Sequence, residues 1–138
     1  MFCYLRARPA VLKSMNPKPS SLSLDSLLDV SDGNRPEMQA LARLYVKTIR
    51  SNIKTLTRAI KEKQCEIIET TAHSAAGSSA VIGMTSMVPA FKTLEHHGRI
   101  KDMTQAPKLL EDIAAAFVSV CDFLESEHLI PSKPSGRR

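Results

Sequence analysis

An all-α fold, an up-and-down antiparallel four-helix bundle with a short additional N-terminal helix, follows from three features of the sequence. Apolar residues recur at steps of three or four, and no segment alternates with period two. The amphipathic segments are long and the links between them short, which favours antiparallel neighbours. The chain has no tryptophan and few other aromatics, so its core must be aliphatic.

Residues 1–20 contain Pro9, Pro17 and Pro19 and end in serines, and read as a flexible basic arm. The bundle is expected over 21–127, and 128–138 reads as a second flexible basic tail. Within "SLDSLLDVSD" a short helix is expected, with Ser23 as a cap and Leu24, Leu27 and Leu28 inward. Gly33 and Asn34 break it. Pro36 stands where a first helical turn tolerates proline. Met38, Leu41, Tyr45, Ile49, Ile53, Leu56 and Ile60 then form one stripe on a long helix. A third helix is expected from Lys63 or Gln64 to Gly83, with Ile68, Ala72, Ala75, Ser79 and Ile82 inward. A fourth runs from Thr85 or Ser86, a start that tolerates Pro89, to Gly98, taken as its stop signal. It carries Met87, Ala90, Phe91 and Leu94. A fifth opens after Thr104 and carries Leu110, Ile113, Phe117, Val120 and Leu124.

The net charge of +5 sits in the tails. The arm holds Arg6, Arg8, Lys13 and Lys18 without an acid, and the tail holds Lys133, Arg137 and Arg138. The body is therefore slightly acidic, which argues against a nucleic-acid-binding body. The three cysteines, Cys3, Cys65 and Cys121, show no metal-ligand spacing, and Cys65 and Cys121 read as small buried hydrophobes suited to a reducing cytoplasm. No apolar run is long enough for a membrane span, and no secretory signal stands at the start. No P-loop or kinase motif is present.

The chemistry concentrates in "TTAHSAAGSSAVIG", Thr70 to Gly83. At about 100° per residue, His73 lies roughly 140° from the centre of the apolar stripe, on the water side. Glu69, Thr70, Gly77 and Ala80 share its half of the helix, and Ala76 lies on the near flank. Small residues beside an outward imidazole leave a turn of helix open to close approach by another protein. The plain alternative is an idle surface histidine beside a close helix contact.

"AHSAAGSSAVIG" resembles the signature of histidine-containing phosphotransfer (HPt) domains: a histidine, a lysine three positions on, a glycine with two small residues, and a second glycine six later. His73, Gly77, Ser78, Ser79 and Gly83 match, and Leu94 and Glu95 of "LEHHGR" match the leucine–glutamate pair of the following helix. The resemblance covers about residues 22–126. It implies a carrier without an ATP site or cofactor of its own, phosphorylated on His73, that relays phosphoryl groups between receiver-domain aspartates. Mg²⁺ and most catalytic groups would come from the receiver. The chain departs from the signature at Ala75, where the family has leucine, and at Ala76, where it has lysine. A lysine at position 76 would lie within reach of a phosphoryl group on His73.

Arg43, Lys47, Arg50, Lys54, Arg58 and Lys61 line the outer face of the long helix. They read as a solvated face or as receiver docking, with Arg50 and Lys54 the chosen contacts. His96 and His97, near a helix C-terminus, read as structural, and no metal site is expected. Two other readings stay open. One is an HPt-like adaptor that binds receivers or kinases without carrying phosphate; the other is a basic polyanion binder. A monomer is expected.

Overall fold

The computed structural model describes residues 22–131. Five α-helices follow in order: α1 Asp25–Ser31, α2 Arg35–Lys61, α3 Cys65–Val81, α4 Val88–Ile100 and α5 Ala106–Ser126, with a 3₁₀ turn at Thr85–Met87 leading into α4. Helix α2 packs on α3 and α5, α4 packs on α3 and α5, and α1 caps the bundle against α2. The α3–α4 seam is the most extensive. This is the expected four-helix bundle with a short N-terminal helix.

Each start has a local cause. Asn34 precedes α2, and its side chain accepts a hydrogen bond from the Glu37 amide at 3.0 Å, while Pro36 occupies the first turn. Pro89 and Pro107 likewise stand in the first turns of α4 and α5, where a missing N–H costs nothing. Ser23 accepts from the Asp25 amide at 3.1 Å ahead of α1.

All five helices end in the same turn. An amide just past the end bonds back to the carbonyl five residues earlier: Gly33 to Leu28, Gln64 to Ala59, Met84 to Ser79, Asp102 to His97 and Leu129 to Leu124, at 2.8–3.0 Å. The residue before that amide takes a left-handed backbone. It is glycine only at Gly83 and is otherwise Asp32, Lys63, Lys101 or His128. Gly83 also lacks room for a side chain, since a Cβ there would lie 3.2 Å from the Ser23 carbonyl and from Ser26.

The core is mostly aliphatic, with Leu27, Ile49, Leu56, Ile68, Leu94, Ile113, Val120 and Leu124 fully enclosed around the ring of Phe91. Four expectations need correction. Leu28 is 43% exposed, because the short α1 buries Leu27 and Ser31 one turn apart and turns Leu28 outward. Gly98 does not end α4; it lies inside it, buried, where a Cβ would meet the α3 backbone at 2.9 Å from the Glu69 nitrogen and 3.0 Å from the Cys65 oxygen. Cys65 and Cys121 are half-buried rather than enclosed. The bundle extends past 127: Leu129 is buried, and Gln39 donates to the His128 carbonyl at 3.1 Å. The arm over 1–20 and the tail beyond 131 lie outside the described residues. Among the described residues, no helix is long and apolar enough to cross a membrane.

One polar pair crosses the core. The Tyr45 hydroxyl and Ser79 Oγ share a 2.6 Å hydrogen bond between α2 and α3, both side chains buried. Burial pushes the Tyr45 phenol up to about 12, with the Ser79 bond opposing. Ser79 is tolerated on an apolar stripe because its hydroxyl has this partner.

Candidate functional site

His73 sits midway along α3 with its side chain 68% exposed, on the seam with α4. Its Nδ1 lies 3.0 Å from Glu95 Oε2 on α4. Glu95 is the unusual member, since its carboxylate side chain is only 8% exposed. A buried carboxylate needs partners, and it has three. Lys92 Nζ is 3.1 Å from Oε1, and Arg99 Nη2 and His73 Nδ1 are each 3.0 Å from Oε2. Arg99 Nε reaches across to Glu69 Oε2 at 3.0 Å. The Lys92 ammonium, foremost, and the bond to His73 hold the Glu95 carboxyl below the usual carboxylate range, against the opposing effect of burial.

That ionisation fixes the imidazole. A carboxylate only accepts, so Nδ1 carries the proton that faces it. The other nitrogen, Nε2, is left with its lone pair in the neutral ring. A neutral imidazole nitrogen held this way is a nucleophile, and the exposed side chain lets an acceptor or donor reach it.

The seam is close because Gly98 lets α4 lie against the backbone of α3 at Glu69. Two polar rungs follow, the Glu69–Arg99 ion pair and the His73–Glu95 hydrogen bond. Each step up α3 is matched by a step down α4, the pattern of antiparallel helices in contact.

The residues expected from sequence do not all gather at His73. Thr70, Gly77 and Ala80 are exposed around His73, with Ser78 and Glu69 half-buried beside them. The Thr70 hydroxyl turns back to the Glu66 carbonyl at 3.1 Å. Ser79, Gly83 and Leu94 are buried and serve packing. Ala76 does not share the exposed face: it is 4% exposed, because α3 is covered by α2 on one side and α4 on the other, and its buried sector is wider than one stripe. Arg50 is not gathered to His73 at all. Its guanidinium lies over the Phe117 ring, 5.6 Å from the centroid, on the α2–α5 seam across the bundle. There it lines a groove of about 530 Å³ with Arg43, Lys47, Val46 and Val118. Lys54 is exposed one turn further along α2.

Lys92 and Arg99 lie outside the residues expected from the motif, of which Glu95 is a member. The signal was present: Lys92, Glu95 and Arg99 stand at i, i+3 and i+7 on one face, the spacing of paired charges. Of the other histidines, His97 donates from Nδ1 to the Asp102 carbonyl at 3.2 Å, a helix-end role. Among the described residues, no group of three or more His, Cys, Asp or Glu side chains could hold a metal ion.

No protein-family model matches the chain. It is 27% identical over 97 residues to Multistep phosphorelay regulator 1 of Schizosaccharomyces pombe, a match covering 69% of this chain and 33% of that protein. The chain thus spans about a third of the length of that curated relative. Its structure superposes on the crystal structure of histidine-containing phosphotransfer protein B from Pseudomonas aeruginosa with a TM-score of 0.74 at 23% identity, covering 80% of this chain and 96% of the other. The chain therefore has the fold of a histidine-containing phosphotransfer protein and is similar in sequence to a phosphorelay regulator.

Proposed function

We propose that this chain is a phosphoryl carrier that relays a phosphoryl group between receiver-domain aspartates through Nε2 of His73. The observation that carries the reading is the buried Glu95 carboxylate, which holds the Nδ1 proton and leaves Nε2 free on an exposed side chain. In the forward step the Nε2 lone pair attacks the phosphorus of an aspartyl phosphate. The P–O bond to the aspartate breaks, and its electron pair stays on the departing carboxylate. The ring keeps its Nδ1 proton and becomes a phosphoimidazolium facing Glu95, whose negative charge stabilises it. The reverse step loads a second receiver. Gly77, Ala80 and Thr70 form the small-residue surface against which a receiver would dock, and the receiver would bring its own Mg²⁺ and acidic pocket.

The direct test is incubation with a phosphorylated receiver, followed by assay for acid-labile, base-stable label. His73→Gln should abolish labelling, while changes at His96 and His97 should leave it intact. The absence of a cation at Ala76 favours one rival, an adaptor that binds receivers without carrying phosphate. Stable receiver binding with no label in the wild type would establish that rival and end the carrier reading.

A further inference from the structure

We infer that Lys92 is the phosphoryl-binding cation of this site, supplied from α4 opposite the place where α3 has only Ala76. The inference rests on His73 being the phosphorylated residue. Three observations carry it. The first is register. The rungs Glu69–Arg99 and His73–Glu95 fix α3 against α4. One further step of three residues up α3 and three down α4 sets Ala76 against Lys92. The second is anchorage. Arg99 is held by two carboxylates, Glu69 and Glu95, whereas among the described residues Lys92 pairs with Glu95 alone, and its side chain is 55% exposed on a flexible four-carbon stem. Lys92 is thus the cation free to swing.

The third is charge balance. With a neutral imidazole, Lys92 and Arg99 are offset by Glu69 and Glu95. A phosphoryl group on Nε2 brings about two negative charges and turns the ring cationic. Glu95 then faces a positive imidazolium directly and no longer needs Lys92. The ammonium can leave Oε1 and pair with the phosphoryl oxygens on the same seam. The carboxylate passes from one cation to another, and no buried charge is left alone at any stage.

The test uses the full chain phosphorylated chemically with phosphoramidate, so that it does not depend on any receiver, with His73→Gln as the control for label at other histidines. ³¹P NMR then follows the pH titration of the His73 phosphoryl group, and its hydrolysis half-life is measured in parallel. Lys92→Gln should raise the phosphoryl titration midpoint, shorten the half-life and lower the equilibrium share of label taken from a phosphorylated receiver by about five- to tenfold, as expected for one partly exposed charge-assisted bond. Lys92→Arg should restore all three. A purely structural role for Lys92 would leave the ³¹P titration unmoved. Identical midpoints and half-lives in wild type and Lys92→Gln would overturn the inference, as would failure of His73 to take label from phosphoramidate. Failure of receiver transfer alone, with a shifted ³¹P midpoint, would instead overturn the relay reading and leave the role of Lys92 standing.

Discussion

Two glycines on neighbouring helices should respond oppositely to the same substitution. At Gly98 an added methyl would lie 2.9 Å from the Glu69 nitrogen, 3.0 Å from the Cys65 oxygen and 3.2 Å from the Glu69 Cα, all backbone atoms of α3 that cannot rotate aside. At Gly77 nothing lies within 4 Å. Both sit inside helices, so Gly→Ala gains about 1 kcal/mol of helix propensity at either site. That gain cancels in the difference between the two variants, leaving the overpacking cost of about 1–3 kcal/mol. Gly77→Ala should be more stable than wild type, and Gly98→Ala less stable than Gly77→Ala by that amount. Urea unfolding followed by circular dichroism reads both, provided the slope with denaturant is unchanged. Gly98→Ala should also spread the seam between Glu69 and Arg99, and so lower the rate of His73 phosphorylation without touching a group on the imidazole. Equal stabilities for the two variants would refute the close approach of α3 and α4 on which the site geometry depends.

Further outcomes follow from the same contacts. Tyr45→Phe should cost about 1–2 kcal/mol by stripping Ser79 of its partner, and adding Ser79→Ala should recover part of the loss in a double-mutant cycle of urea midpoints. The folded-state phenol of Tyr45 is raised from 10.0 to about 12, so its contribution is fully present below pH 10 and is lost as pH rises through about 12; alkaline unfolding should shift to higher pH in Tyr45→Phe. Glu95 has the opposite sign. Its carboxyl is lowered from 4.5, so its contribution is present above that value and fades as pH falls through the folded-state value, a loss that Glu95→Gln should flatten in acid-unfolding curves. Replacing Gly77 with leucine should leave the bundle at least as stable yet block transfer from a receiver, read by label on His73 against a circular dichroism melt.

The helices were legible because their stripes are long: Met38, Tyr45, Ile49 and Leu56, or Ile113, Phe117, Val120 and Leu124, repeat often enough to fix a face. Their ends were less legible, since four of five left-handed turns use Asp, Lys or His where a sequence rule looks for glycine. Gly98 drew the stop signal to itself while its real constraint, the α3 backbone, lies some thirty positions away in the chain. His73 could be placed on the outer face by angle alone. The burial of Ala76 could not, because one stripe says nothing about a second neighbour covering its flank. Glu95 stands in the sequence only as half of a leucine–glutamate motif, and the close seam shows why it is enclosed, ionised and aimed at the imidazole. Arg50 and Lys54 shared a stripe, but a stripe on one helix does not reveal which seam it overlooks.

The repeated helix-end turn leaves a thermodynamic reserve. A side chain held in the left-handed region costs about 1–2 kcal/mol, part of which glycine returns as greater freedom in the unfolded chain. Lys63, Lys101 and His128 are exposed and sit in such turns, and none bonds the His73 network. Glycine at these three positions should therefore raise the melting temperature in separate, nearly additive steps while leaving the imidazole and its carboxylate untouched. A background strengthened in this way would tolerate the severe changes at Glu95, Gly98 and Lys92 without unfolding, so that a lost phosphoryl group could be assigned to chemistry rather than to collapse of the bundle.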